Sequence, residues 1–252
     1  MQDADVFIIN TSFQLVNALE AKRKFSSPHK SLLILHINTD NMNNQVSKML
    51  NHKDWDYIFD VMAYKKSAGE RYAKALLQVK SKFSIVNLFI GHFNSFNQQI
   101  AFSYFNPSKL FLIDDGIATI IYQNLYICQD KTKYDTLFFR IKTYIKFLLR
   151  GVYCKFPRNL HKYTNLFTSY HFLKALPHQE VYYHCFENLL RLYKEPTHTN
   201  SIYIYILLDN LLEFYAKIKK IFSHFLKKSN HFILKTIIIL SILHISEILN
   251  LS

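Results

Sequence analysis

The pattern that decides the fold is Leu110-Phe-Leu-Ile-Asp-Asp-Gly116, in which an apolar run ends directly in two carboxylates and a glycine. The run Lys109–Ile113 follows a Pro-Ser pair and predicts a short buried strand. Asp114 and Asp115 would then lie at the carboxyl end of that strand, where open α/β sheets place their ligand sites. Gly116 permits a tight turn, and because turns prefer Asp and Gly in any case, a plain strand exit fits as well.

The segments before this stretch alternate between apolar runs and helical patterns. The runs that predict strands are Val6–Ile9, Leu32–Ile37, Asp56–Met62 and Ile85–Ile90. Helical spacing begins at Leu15 and covers Ala68–Lys82, and a further helix is predicted over Phe96–Phe105, ended by Asn106-Pro107. Alternating strands and helices predict a parallel sheet with right-handed crossovers, so we predict that residues 1–125 form one Rossmann-like α/β domain.

The net charge of +13 is concentrated in residues 131–174, which carry ten basic residues and a single acid, Asp135. A helix is predicted over Thr132–Arg150, with basic residues interleaved between the apolar members of one face. These are Leu137, Phe138, Ile141, Tyr144, Ile145, Leu148 and Leu149. Such a face fits the core of the domain, an anionic membrane surface or a nucleic acid, and the sequence leaves these alternatives open.

The remaining segments predict a basic helical connection over residues 126–200, with a candidate strand at Thr164–Ser169. Residues 201–252 contain no Gly, Pro or Arg, so we expect them to form an incomplete or aberrant, mainly helical second domain. The apolar run Thr236–Ile245 is too short to span a bilayer, and the acidic N-terminus does not resemble a signal peptide. The three cysteines lack disulfide or zinc spacing, which favours a reducing compartment, and we expect a cytoplasmic protein compatible with peripheral contact to the inner face of the membrane.

Side chains suited to chemistry collect after the first and fifth predicted strands. The polar turn Asn10–Gln14 follows the first strand and supplies Thr11, Ser12 and Gln14. Parallel strands end at the same edge of a sheet, so this turn and the Asp-Asp-Gly turn are expected to face one cleft. A carboxylate in that cleft could act as general base toward a substrate hydroxyl. The twelve histidines, including His171, His178 and His184, show no metal-ligand spacing.

Two of these segments resemble glycosyltransferase family 52, which contains bacterial lipooligosaccharide sialyltransferases. They are Asn10-Thr-Ser-Phe-Gln-Leu-Val-Asn-Ala-Leu-Glu-Ala21 and Phe111-Leu-Ile-Asp-Asp-Gly-Ile-Ala-Thr119, and the resemblance covers roughly residues 5–200. It implies a GT-B architecture of two Rossmann-like domains, in which the second holds most of the donor CMP-sialic acid. It also implies transfer of sialic acid to a galactose-ended lipooligosaccharide without a metal or other cofactor.

Within that resemblance, Asp115 is the predicted catalytic base or acceptor ligand, and Asp114, its structural neighbour, is grouped with it as a catalytic residue. The predicted substrate-binding residues are Thr11, Ser12, Gln14 and Gly116. The leading interpretation includes no nucleic acid partner. The alternative is a non-catalytic basic protein that binds an anionic membrane surface or nucleic acid through the Thr132–Arg150 helix.

The chain departs from the family in one motif, since it lacks the His-Pro dipeptide that relatives carry in the second domain. Pro177-His178 has the reverse order and comes too early. The second domain would begin near Ser201 and have room for one strand and one or two helices. We therefore expect a truncated or frameshifted member whose 252-residue product is poorly soluble and lacks measurable sialyltransferase activity.

Overall fold

The structure, a computed structural model, describes residues 1–62, 65, 67–92, 94–122, 137–157, 160, 164–171 and 173–187. The chain divides into two compact units, Met1–Ile204 and Tyr205–Ser252, and every described residue belongs to the first. The predictions for residues 201–252, and the first five residues of the predicted helix Thr132–Arg150, lie outside the described residues.

The first unit is built on a parallel sheet of seven strands in the order β3-β2-β1-β4-β5-β6-β7. The strands are β1 (Gln2–Ile9), β2 (Lys30–Leu35), β3 (Tyr57–Asp60), β4 (Phe83–Ile90), β5 (Lys109–Ile113), β6 (Thr164–Thr168) and β7 (Val181–Tyr183). Each neighbouring pair in this order is parallel. The predicted α/β class with a parallel sheet is therefore confirmed, and β5 has the predicted bounds.

Helices connect the strands, and two of them have the predicted bounds. They are α1 (Ser12–Phe25), α2 (Asp40–Met49), α3 (Ala68–Lys82), α4 (Phe96–Phe105), α5 (Ile117–Tyr122) and α6 (Leu137–Leu148). The matching pair is α3 and α4, whereas α2 was not among the predicted helices. It forms because Thr39 caps its first turn, with Met42 N donating to Thr39 Oγ1 at 3.2 Å, and because Val46 and Met49 are buried.

The sheet extends past residue 125, the limit predicted for the Rossmann-like domain. The segment predicted as a helical connection contributes β6 and β7, and β6 pairs with β5 from Leu110↔Thr164 to Ile113↔Phe167. The candidate strand at Thr164–Ser169 is thereby confirmed. It is held in the sheet because Leu166 and Phe167 bury their side chains on opposite faces.

The two faces of the sheet bury different kinds of side chain. On one face Phe7, Phe89 and Phe111 form a stacked row across β1, β4 and β5, with ring centroids 4.3 and 4.9 Å apart. Phe25 at the end of α1 packs on this row, 4.9 Å from Phe111. The other face is aliphatic and packs with residues of α3 and α4, such as Leu76. This double-sided burial fixes the strand ends that carry the candidate site.

The strand order reverses direction between β1 and β4, since the chain runs outward to β2 and β3 and then returns to the opposite side of β1. At such a switch point the connections leave in opposite directions and open a crevice at the carboxyl ends of the strands. The turns after β1, β4 and β5 lie at this edge. Within the described part of the chain, no helix is both long enough and apolar enough to cross a membrane.

Candidate functional site

The start of α1 is joined to the turn after β5 through Thr11. This residue is the N-cap of α1, and its Oγ1 accepts a hydrogen bond from Gln14 N at 3.1 Å. The same hydroxyl donates to Asp115 Oδ1 at 3.5 Å. The parallel sheet therefore brings two predicted site residues into contact across more than a hundred residues of sequence.

Gln14 is the second link between α1 and Asp115. Its Oε1 accepts a 2.6 Å hydrogen bond from Asn10 N, and its side chain also hydrogen-bonds Asp115. Its amide lies directly against Gly91, the residue after β4. A Cβ added to Gly91 would lie 2.1 Å from Gln14 Cδ, which is far inside a van der Waals contact. Gly91 is therefore required so that the Gln14 amide can lie over the end of β4.

Asp115 is half-buried in this arrangement and has a pKa suited to proton transfer near neutral pH. Burial raises the pKa of its carboxyl from 3.8 to about 7, although the hydrogen bonds from Gln14 and Thr11 act in the opposite direction. The neighbouring charge of Asp114 adds a smaller upward effect. The N-terminus of α1 lies beside the carboxylate and favours its charged form. Asp115 is thus able to accept a proton from a hydroxyl group in the crevice.

Asp114 has a different position from the one predicted for a catalytic residue. Its side chain is almost completely buried, and its carboxylate accepts hydrogen bonds from Thr168 Oγ1 at 2.7 Å, Ser169 N at 2.7 Å and Ser169 Oγ at 2.8 Å. Burial raises its pKa to about 6, although these hydrogen bonds lower it. The prediction that Asp114 is catalytic is corrected, because a fully buried carboxylate bonded to the end of β6 cannot reach a substrate. It positions Asp115 by tying β5 to β6.

His184 follows β7 and lies close to Asp114 without a hydrogen bond to it. Its ring stacks on Phe167 with centroids 4.5 Å apart, and its Nε2 lies 3.9 Å from Asp114 Oδ2. Phe186 N donates to its Nδ1 at 3.4 Å, so in the neutral ring the proton is on Nε2 and faces Asp114. Burial lowers the pKa of His184 to about 4. In the sequence this histidine stands as an isolated residue, because its proximity to Asp114 depends on the pairing of β6 with β7.

Ser12 and Gly116, the other two predicted substrate-binding residues, have different structural roles from Thr11 and Gln14. Ser12 is buried, and its Oγ donates to Gln45 Oε1 of α2 at 3.4 Å. Gly116 has a φ of +58°, and none of the described residues lies within 4 Å of the place where a Cβ would be. Its left-handed backbone closes the turn in which Asp115 N donates to Thr119 Oγ1 at 2.9 Å. Gly116 thus shapes the turn and leaves open space beside Asp115.

A polar network that the sequence analysis missed continues the site across the switch point. His92 N donates to Gln98 Oε1 at 2.9 Å, and Gln98 Nε2 donates to Asn10 Oδ1 at 2.8 Å. Asn10 Nδ2 therefore faces His36 Nδ1 as a donor, at 3.3 Å. Asn97 Nδ2 lies 3.3 Å from the other ring nitrogen, Nε2, so both nitrogens of His36 face an amide donor and the neutral ring can accept from one of them. Asn10 and His36 directly follow β1 and β2, and that position was the available sequence signal.

The network keeps His36 uncharged over most of the pH range. Burial lowers the pKa of its ring to about 4. A protonated Nδ1 would also meet the donor amide of Asn10, which adds a local reason for neutrality. The carboxyl edge of β1, β2 and β4 is therefore lined by neutral hydrogen-bonding groups next to the ionisable Asp115. Neutral donors and acceptors beside one carboxylate suit a ligand rich in hydroxyl groups.

No family is shown for this chain by comparison with known proteins. No protein-family model matches the sequence, and no match was found among the curated proteins. Among the described residues, no group of three or more His, Cys, Asp or Glu side chains could hold a metal ion. The candidate site is therefore defined by its own geometry, in which one half-buried carboxylate lies at the switch-point edge of a parallel sheet.

Proposed function

We propose that this chain is a GT-B glycosyltransferase of the kind that transfers sialic acid from CMP-sialic acid to a galactose-ended lipooligosaccharide, although the sequence predicts that the 252-residue product itself lacks measurable activity. In this proposal the described unit is a Rossmann-like domain that binds the acceptor. The observation that carries the proposal is the Asp115 carboxyl, whose pKa is about 7 and which lies at the carboxyl edge beside Thr11 and Gln14. Glycosyl transfer to a hydroxyl needs a base with these properties.

Asp115 has one chemical role in the proposed reaction. The acceptor hydroxyl oxygen forms a bond to the anomeric carbon of the sugar, and its proton passes to an Asp115 carboxylate oxygen. The bond between the anomeric carbon and the phosphate oxygen breaks, and CMP leaves with that electron pair. Attack from the opposite side inverts the anomeric carbon. A base with a pKa near the working pH is ionised often enough to accept the proton and basic enough to hold it.

The surrounding residues would orient the acceptor and the base. Thr11 and Gln14 hold the Asp115 carboxylate from the α1 side, while Asp114 fixes the adjoining backbone from β6. The neutral Asn10–His36–Gln98 network provides additional hydrogen-bonding groups next to the crevice. Such preorganised partners lower the entropic cost of bringing a hydroxyl to the base.

Binding of lactose, a small galactose-ended acceptor, to the 252-residue chain tests this proposal. NMR chemical-shift titration at pH 8 and pH 5.5 gives the affinity of the wild type, of Asp115→Asn and of Asp3→Asn. Asp3 is an exposed carboxylate near the opposite, amino-terminal edge of β1, so it is the matched control.

Lactose is expected to bind the wild type and the Asp3 control alike, and more tightly at pH 8, where Asp115 is ionised. Asp115→Asn should weaken binding by about tenfold or more, because a hydrogen bond to a charged acceptor contributes about 1.5–3 kcal/mol. The proposal is rejected if lactose does not bind the wild type, or if Asp115→Asn binds it as tightly as the control does.

A further inference from the structure

The outer face of α6 is a large apolar surface that the proposed site does not use. Phe138 and Leu149 are 78% and 82% exposed, and Ile141 and Ile145 are 43% and 47% exposed. The core-facing alternative from the sequence predicts that these side chains are buried. The core-facing alternative is wrong for these four side chains, because the side of the helix that carries Phe147 is the one that packs against the domain. We refer to Phe138, Ile141, Ile145 and Leu149 as the α6 stripe.

The helix is fixed firmly on its inner side, so the exposure of the stripe does not come from loose attachment. Arg140 Nη2 donates to Gln99 Oε1 at 3.2 Å and to Pro157 O at 2.9 Å. Its guanidinium also lies over the ring of Phe96, 5.1 Å from the centroid. Tyr144 donates its hydroxyl proton to a backbone carbonyl in the loop after the helix. These contacts hold α6 in one rotation about its axis.

That rotation places two chemically different strips side by side in solvent. With 3.6 residues per turn, the stripe residues at 138, 141 and 145 fall within a sector of about 60°. Lys142 and Lys146 are exposed and fall in the adjoining sector, and Arg150 follows the helix, also exposed. An apolar strip bordered by cations is the arrangement of helices that lie in a membrane interface.

We infer that the α6 stripe docks onto an anionic membrane surface. The stripe enters the boundary between head groups and acyl chains, while Lys142, Lys146 and Arg150 contact lipid phosphates. Charge complementarity supports this partner, since residues 131–174 carry a net +9. A nucleic acid fits less well, because the centre of the face is aliphatic and aromatic and would desolvate phosphates without pairing with them.

Sedimentation with lipid vesicles tests the inference without reference to lactose binding, so the two proposals can fail separately. The full chain is mixed with vesicles of phosphatidylcholine alone or with added phosphatidylglycerol, at low and high salt. Binding is expected to need phosphatidylglycerol and to weaken with salt. The double variant Ile141→Asp/Ile145→Asp should reduce partitioning by about tenfold or more.

The control Asn41→Asp/Asn44→Asp makes the same change of net charge on the exposed side of α2 and should leave most of the binding intact. Equal losses in the two double variants would overturn the inference, because net charge alone would then explain binding. Unchanged binding of the Ile141/Ile145 variant would overturn it as well.

A fluorescence experiment locates the contact on α6. The chain has a single tryptophan, Trp55, which is 6% exposed and serves as the internal reference. In Phe138→Trp, brominated lipids should quench the new tryptophan and shift its emission to the blue, whereas wild-type emission should hardly change. Absence of quenching at residue 138 overturns the inference.

Other occupants of the stripe would give different results, and each contradicts membrane docking. A second copy of the chain would appear in size-exclusion chromatography as a dimer that the Ile141/Ile145 variant disperses, without vesicle binding. A segment of the same chain would make that variant less stable in urea, again without vesicle binding. Salt-dependent binding to duplex DNA with no vesicle binding would assign the surface to nucleic acid.

Discussion

Replacement of Asp115 by Asn is expected to stabilise the fold at pH 8 while it weakens acceptor binding. In the folded state burial raises the pKa of Asp115 from 3.8 to about 7. A carboxyl whose pKa is raised on folding favours the fold at low pH, and this advantage is lost as the pH rises from 3.8 through about 7. Asparagine keeps an oxygen for Thr11 and Gln14 but has no charge to bury.

The size of the effect follows from the same pKa. Each pH unit between the unfolded and folded pKa corresponds to about 1.36 kcal/mol, so ionised Asp115 costs the fold on the order of 4 kcal/mol at most. Because the side chain is half-buried, solvent screens part of this cost, and about 1–4 kcal/mol is expected at pH 8. At pH 5 about two thirds of the cost is absent, so the advantage of the variant should shrink by about 0.6–3 kcal/mol.

Urea unfolding of the wild type, Asp115→Asn and the exposed control Asp3→Asn at pH 5 and pH 8 measures these free energies. The gain in stability of Asp115→Asn over the wild type should be larger at pH 8, whereas the control should show no comparable pH dependence. A gain that is equal at both pH values, or a loss at pH 8, would refute the assignment of a half-buried carboxyl with a raised pKa to residue 115.

Three further outcomes are expected. Gly91→Ala should displace Gln14, destabilise the protein by about 1–3 kcal/mol in urea and weaken lactose binding. The control Gly69→Ala should do neither, because the atoms nearest to its added Cβ belong to the flexible side chain of Arg150. Thr168→Val should lower the free energy of unfolding by about 1–3 kcal/mol, because it removes a hydrogen-bond donor from the buried carboxylate of Asp114. The loss should be larger at pH 8 than at pH 5, and an equal loss at both pH values would contradict that role. Between pH 4 and 6.5 the unfolded chain binds a proton on His36 that the buried ring, with a pKa of about 4, does not bind, so the free energy of unfolding rises with pH. His36→Gln should make this rise smaller, and an unchanged rise would show that His36 is not the group responsible.

The elements that the sequence predicted best are those specified by local pattern. The bounds of α3 follow from helical spacing, the end of α4 follows from Asn106-Pro107, and β5 follows from a short apolar run after a proline. Thr11, Gln14 and Asp115 could be grouped in advance because parallel strands end at one edge. The order of the strands in the sheet is enough to predict that these three residues come into contact.

The parts of the site that the sequence missed depend on contacts between distant segments. The burial of Asp114 arises because β6 lies beside β5, which places Thr168 and Ser169 around its carboxylate. The need for Gly91 is steric and becomes visible only when the Gln14 amide is placed against it. For α6 the sequence showed an amphipathic pattern, but the rotation set by Arg140 decides which face is buried.

The measurement that tests the central claim most directly is a carboxyl-carbon NMR titration of Asp115 with and without lactose. The signal is assigned by its absence from Asp115→Asn. The account predicts that the free protein shows an apparent pKa of about 7 for this group and that lactose shifts both the signal and its titration. An Asp115 carboxyl that titrates near its ordinary value of 3.8, with a signal that lactose leaves unchanged, would contradict the account.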